Sequence, residues 1–342
     1  MDRNIKTFEQ RRILLIKKII AAVILAAILV VAFLGIKYLI DKNAEQKYLE
    51  TYGKAAVQVG NSTVTYDIYR CLYLNYKDTL IKDFTDEKGN VDTAALHSEI
   101  RKCVLNDIRN IYATVSLAAD YGMSPTDGDV LGMVESYVTE MKTYYEENGL
   151  DFEADLEKMY LTESAFKFLE SVAVLQDKLF TVLVSDGGVI EDNDEKVLEI
   201  LRSDDFIRVK HIFIENDEGE DVENNRAIAA TVIEEYKSGV SFDTLIGRFS
   251  EDYSMPYDGY YFTQQDAVNL EVGEISGVIE SDAGFHILLR LPKDDEYLNN
   301  NFNDLKSQYQ SITFNDLLEQ RAARLTPVET DFVLSLSYEE IK

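Results

Sequence analysis

Two segments of strand length, each carrying a histidine, constrain the fold of this chain most strongly. One is Ile-Arg-Val-Lys-His-Ile-Phe-Ile at 207–214, the other Gly-Phe-His-Ile-Leu-Leu-Arg-Leu at 284–291. Both are rich in the β-branched and aromatic residues that fit a pleated, half-buried surface. His211 and His286 are two of the three histidines in the chain. Between the segments come a helix-period stretch, Phe-Ser-Glu-Asp-Tyr-Ser at 249–254, Asp-Gly-Tyr-Tyr-Phe at 258–262 and Val-Gly-Glu-Ile-Ser at 272–276.

The N-terminal region imposes a second constraint. Ile19 to Ile36 holds no charged or strongly polar side chain. With Lys37 snorkelling and Tyr38 to Ile40 beyond, the apolar length reaches the ~20 residues that span a bilayer. Arg3, Lys6, Arg11, Arg12, Lys17 and Lys18 precede it. That flank predicts a cytoplasmic basic N-terminus at 1–18, a single-pass anchor at 19–40 and an extracytoplasmic body at 41–342. A cleaved signal peptide is the alternative. Against it, the apolar core is long, no small-x-small site follows, and no cysteine stands just after it to accept a lipid.

The formal charge is −28 and is unevenly placed, with +5 on residues 1–40 and −33 on the rest. A body this acidic repels phosphates, which excludes nucleic acid as a partner and disfavours lying flat on anionic lipid. Cys71 and Cys103 form no Cys-x-x-Cys pair, so neither a redox motif nor a zinc site is expected. One disulfide in an exported domain and two buried free thiols both remain open. Phosphate loops, dinucleotide fingerprints, His-Glu-x-x-His and Gly-x-Ser-x-Gly are absent from the sequence. The acidic run at 215–223 lacks the spacing of a calcium loop. Neither metal nor cofactor is expected.

Along the chain, the polar residues 41–54 read as a stalk. Residues 55–65 alternate around Gly60-Asn61 and predict a hairpin. Tyr66 to Lys82 has helical periodicity, and 83–92 is turn-rich. From Thr93 to Tyr121, Leu96, Ile100, Val104, Ile108, Ile111, Val115 and Ala118 recur at three- and four-residue steps, which predicts one long helix. His97 within it reads as a surface residue. Further helices are predicted at Asp127–Asn148, at Phe152–Met159, from a Thr162 cap to Val184, and at Glu191–Ser203. Phe302 to Leu325 is again periodic. Residues 328–337 read as a terminal strand, expected to pair with the hairpin near Val57.

The order of motifs in 204–292 resembles a parvulin, a peptidyl-prolyl cis-trans isomerase domain. The hairpin-then-helix start of 55–203, with Ala-Ala-Asp-Tyr-Gly-Met-Ser-Pro at 118–125, resembles the N-terminal module of exported chaperones of the SurA and PrsA type. The resemblance implies an α+β protein: a mostly helical chaperone module at 55–203, an inserted parvulin-like domain at 204–292 whose small antiparallel sheet is flanked by helices, and a C-terminal segment at 293–342 that returns to the module. It implies an anchored, extracytoplasmic foldase whose partners are unfolded or proline-containing exported polypeptides. It also implies site roles. His211 and His286 match the paired strand histidines, Asp252 matches the polar residue after the second helix, and Ser281 stands where a hydroxyl is common. Such a network shapes the site and tunes its electrostatics without covalent attack. Tyr261, Phe262 and Leu270 are the apolar candidates for substrate contact. The segment 263–271 is shorter than the family's and lacks its methionine and phenylalanine, which form the floor and wall of the proline pocket. Since apolar burial supplies most of the grip on a prolyl ring, weak or absent isomerase activity with a retained fold is expected. The alternative function is therefore a holdase that uses a degenerate parvulin domain as scaffold. An envelope scaffold is a third reading. Phosphoserine-proline substrates are disfavoured, because the loop after the first histidine strand is acidic.

Overall fold

The computed structural model describes residues 48–185, 187–216, 222–252, 260–262 (backbone), 269–281 and 283–342. The apolar run at 19–40 lies outside them, and among the described residues no helix is long and apolar enough to cross a membrane. The described residues divide into two compact units. One comprises those up to Leu183 together with Phe314–Lys342, the other Val184–Thr313.

In the first unit, Ala55–Val59 (β1) and Ser62–Thr65 (β2) form the expected hairpin, turned at Gly60 with φ +60°. Helices follow at Tyr66–Leu80 (α1), Thr93–Asp120 (α2), Gly128–Glu147 (α3), Phe152–Lys158 (α4) and Glu163–Val184 (α5). All seven apolar positions read from the periodicity of α2 are buried, none above 8% exposed. All of them but Ala118 share a core with Tyr69 and Tyr73 of α1 and Phe168 of α5. The α2 terminus is capped by Asp92, which accepts from Ala95 N–H at 3.0 Å. Thr162 caps α5 by accepting from Ala165 N–H at 3.0 Å, and the same hydroxyl donates to Asp67 at 2.9 Å.

Several expectations are corrected in this unit. Residues 48–54, read as stalk, belong to the fold: the Tyr48 hydroxyl donates to buried Asp67, and Tyr66 N–H donates to Lys54 C=O at 2.8 Å. His97 is half-buried, because packing of α1 on α2 brings the Tyr73 hydroxyl within 2.5 Å of its Nδ1. Of the two readings left open for the cysteines, free thiols hold, with Cys71 buried and Cys103 half-buried. Cys71 Sγ donates to the Met159 carbonyl at 3.3 Å, and burial pushes its pKa up to about 12.

The second unit opens with the helix Asp194–Arg202 (α6), capped by Asn193 and therefore three residues shorter at its start than the sequence predicts. Next come the strand Ile207–Glu215 (β3), the helices Val222–Lys237 (α7) and Phe242–Phe249 (α8), and the strands Tyr260–Phe262 (β4), Ile279–Ser281 (β5) and Gly284–Leu291 (β6). The strands make an antiparallel sheet of order β4-β3-β6-β5. One face of the sheet carries Ile212, Ile214, Phe285 and Ile287, which pack on Ala229 and Val232 of α7 and on Phe242 and Leu245 of α8. Full burial of such side chains contributes roughly 1.5–3 kcal/mol each, so the two helices lock this face and leave the other for the site. The acidic helix α6, read as part of the helical module, is grouped with this sheet unit.

The chain continues through the helices Asp295–Asn300 (α9) and Phe302–Ala322 (α10) and returns to the first unit. Only Pro327–Glu329 (β7) forms a strand there, and it pairs antiparallel with β1, Val57 opposite Glu329. The predicted strand to residue 337 is cut short. Thr330 bonds Ala55 C=O and Ala56 C=O, which exhausts β1, and a helical turn at Asp331–Leu334 (α11) follows.

Candidate active site on the histidine face of the sheet

Alternation along β3 puts Ile207, Val209, His211 and Phe213 on the face away from α7 and α8. The register with β6 pairs Phe213 with His286 and His211 with Leu288. The two histidines are thus diagonal neighbours on one face, with rings 5.1 Å apart and 10° from parallel. His211 Nε2 lies 2.9 Å from His286 Nδ1. Ser281 reaches them across the β5–β6 turn, its Oγ 2.7 Å from His286 Nε2. That turn needs Gly284. Its φ is +148°, and a Cβ there would sit 2.1 Å from the Ile214 carbonyl oxygen, so only a residue without one lets β6 start against β3.

Asp252 arrives by a different route. Strand β4 covers β3 only at Ile207–Val209, which leaves the backbone of Phe213 open on that edge. The segment after α8 fills it. Ser250 Oγ accepts from Phe213 N–H at 3.2 Å, Glu251 N–H donates to Phe213 C=O at 2.8 Å, and Glu251 Oε2 accepts from Glu215 N–H at 2.6 Å. The next residue, Asp252, then has its Oδ2 3.9 Å from His211 Nδ1. That separation is beyond a hydrogen bond but well within Coulombic reach.

The polarity of the chain follows from Asp252. A lone pair on His211 Nδ1 would face the carboxylate, so the proton belongs on Nδ1. Nε2 of His211 then accepts from His286 Nδ1–H, and His286 Nε2 accepts from the Ser281 hydroxyl. Burial pushes the pKa of His211 down to about 4, with His286 adding to the effect and Asp252 opposing it. Burial also lowers the pKa of His286, again against Asp252. Both rings are neutral near pH 7. The result is an uncharged relay of oriented dipoles, with the exposed Ser281 at its open end. Among the described residues, no group of three or more His, Cys, Asp or Glu could hold a metal ion.

No protein-family model matches the chain. Foldase protein PrsA of Oceanobacillus iheyensis is 24% identical over 236 residues, which cover 66% of this chain and 72% of that protein. The chain resembles the PrsA-type foldases. The crystal structure of PrsA from Bacillus subtilis aligns at 20% identity over 78% of this chain and 88% of its own, with a TM-score of 0.25. The solution structure of NmPin, the parvuline of Nitrosopumilus maritimus, aligns at 27% identity over 26% of this chain and 97% of its own, with a TM-score of 0.21.

Within this PrsA-like frame, His211, His286, Ser281 and Asp252 are brought together. The apolar candidates fare differently. Leu270 is 8% exposed and packs on Ile207, Val209 and Leu288. It also lines a hollow of ≈ 380 Å³ with Ser276, Gly277, Val278, Ile279 and Glu280. Position 261 stands in register opposite Arg208, and position 262 opposite Ile207. Residues 263–268 lie outside the described residues. Three residues escape a reading of the sequence alone. Ser250 and Glu251 act through one hydroxyl, one amide and one carboxylate on the β3 edge. Phe213 reads as an ordinary core aromatic. Counting two residues on from His211 along the strand is the signal that places it at the site.

Proposed function

We propose that the chain is an anchored, extracytoplasmic foldase for exported polypeptides, in which residues 204–292 catalyse prolyl cis-trans isomerisation. The observation that carries this reading is the Ser281–His286–His211 chain on the sheet face opposite α7 and α8. Rotation about a prolyl amide breaks resonance and takes roughly tens to hundreds of seconds unaided. Acceleration requires only that the twisted amide be held better than the planar one. Apolar contact and a few oriented dipoles in a partly dehydrated site do this without a nucleophile or cofactor. Two neutral imidazoles and a hydroxyl supply such dipoles and impose no net charge on a neutral peptide. His211 and Asp252 orient His286, and His286 and Ser281 face the peptide.

The test is isomerisation of a panel of Xaa-Pro peptides by the full-length chain in lipid nanodiscs, with His286→Ala as control. The expected result is catalysis that falls by about tenfold or more in the variant, in line with loss of an oriented dipole at a reacting amide. Equal rates with and without His286 would remove the histidines from the chemistry. A second reading, a holdase with a degenerate site, is favoured by the burial of Leu270, which offers little surface to a ligand. Suppression of client aggregation without any isomerisation would establish it.

A further inference from the structure

The third histidine belongs to the first unit, away from the sheet site. His97 stands in the first turns of α2 and is half-buried. Its Nδ1 lies 2.5 Å from the hydroxyl of Tyr73, a fully buried residue of α1. The two rings meet edge-on, 5.5 Å apart at 60°. Tyr73 stacks in turn on Tyr69, one helical turn earlier, at 6.2 Å and 21°. Tyr69 donates to Glu329 of β7 at 2.6 Å. Arg101, one turn after His97 on α2, donates to both oxygens of the same carboxylate. Two aromatic rings and one ion pair thus connect the imidazole to the strand by which the C-terminal segment rejoins the first unit.

A proton on His97 disturbs every member of this group. In the neutral ring Nδ1 accepts from the Tyr73 hydroxyl and the proton sits on Nε2. Protonation places a hydrogen on Nδ1 that faces the hydroxyl hydrogen, so the buried hydroxyl must turn or lose its bond. The new cation also stands four residues from Arg101 on one helix, where like charges repel, and it competes for the Glu329 carboxylate. The charged and titratable groups around the ring are Arg101 on its own helix, Tyr73 and Tyr69 on α1, and Glu329 on β7; Tyr338 and Glu339 of the C-terminal tail act on Tyr73. Burial and then Arg101 hold the pKa of His97 below its usual 6.5, against Glu329. A ring depressed in this way stabilises the fold in full above about pH 6.5 and withdraws that stability as pH falls below it.

We propose that His97, with Tyr73, Arg101 and Glu329, forms a proton-sensitive latch that releases the C-terminal return of the chain in mild acid. The helices α1 and α2 are fixed by their buried core residues. Strand β7 has three residues, and Val328 at its centre is 57% exposed. It is the weakest member of the group and opens first. The inference concerns the first unit and does not depend on the proposed isomerase activity. Under the extracytoplasmic placement proposed above, ambient acidity sets the latch.

The experiment follows amide hydrogen exchange in the full-length chain in nanodiscs from about pH 7.5 to about pH 5, as protection factors corrected for the intrinsic pH dependence of exchange. The reporters are Gln58, opposite Val328, and Thr330, whose N–H donates to Ala56 C=O at 2.9 Å. Ile108, buried in the middle of α2, is the control. The expected result is a fall of about threefold or more at both reporters with Ile108 unchanged, and reporters that no longer respond to pH in His97→Gln. Protection that stays flat in the native chain, falls equally in the variant, or falls in step with Ile108 overturns the latch. If His97→Gln does not fold, exchange of the histidine Cε1–H, read by mass spectrometry on the unchanged chain, decides. A His97 midpoint below 6.5 that coincides with the loss of protection at Gln58 supports the proposal. A midpoint at or above 6.5, or one that does not coincide, overturns it.

Discussion

His211 shows how burial writes a pH dependence into one residue. Its ring is 7% exposed, and its pKa falls from 6.5 to about 4. The unfolded chain takes up a proton near pH 6.5 that the folded chain refuses until about pH 4. Stability contributed by the neutral ring is therefore full above about pH 6.5 and is lost as pH falls towards 4, on the order of 3 kcal/mol in all. Urea midpoints between pH 7 and 4.5 should drop more steeply for the native chain than for His211→Gln. Parallel slopes would mean that the ring is not held neutral by the fold. Tyr112 makes the opposite case. Its hydroxyl is buried with no hydrogen-bond partner among the described residues. Tyr112→Phe removes an unsatisfied group without opening a cavity and should raise stability by about 1 kcal/mol. A lowered urea midpoint would mean that the hydroxyl has a partner. Single residues were also where the sequence was hardest to read. His97 looked like a surface histidine because its partner, Tyr73, comes from another helix. Phe213 carries no motif of its own and is placed only by its strand register opposite His286.

At the scale of elements, period and chain direction were legible wherever one face is buried. The apolar steps of α2 and the β-branched runs of β3 and β6 are such cases, since burial of those residues is what selects them. The C-terminal return was legible as contact with the hairpin but not in its length. Strand β7 has three residues, too few to be stable on backbone pairing alone. What fastens it is Glu329. Arg101 Nε donates to both carboxylate oxygens at 2.9 and 3.0 Å, and the Tyr69 hydroxyl donates at 2.6 Å. None of these partners lies within two hundred residues of Glu329, so no local pattern announces them. Glu329→Ala strands a partly buried guanidinium and a fully buried tyrosine. It should cost roughly 2–3 kcal/mol and speed hydrogen exchange in β1 at Gln58, which stands opposite Val328 of β7. Glu329→Gln, which keeps one acceptor, should cost less. If both variants exchange like the native chain, β7 is held by something else.

For the whole molecule the governing fact is charge. The sequence carries 62 acidic residues against 34 Lys and Arg. Pairs such as Lys102–Glu99 and Arg226–Glu280 neutralise some of the excess, but both partners are solvent-exposed, where such pairs are worth about 0–1 kcal/mol each. The more buried Arg101–Glu329 pair is screened least. Salt therefore acts mainly on the surplus carboxylates, whose mutual repulsion opposes compaction. Raising NaCl from about 20 mM to about 200 mM shortens the Debye length from roughly 20 Å to roughly 7 Å. Relief of repulsion should then exceed the loss from weakened surface pairs, and Tm should rise by about 2–4 °C in nanodiscs of neutral lipid. A fall in Tm over the same range would mean that the ion pairs outweigh the surplus. In that case the acidic side chains would be part of a stabilising network.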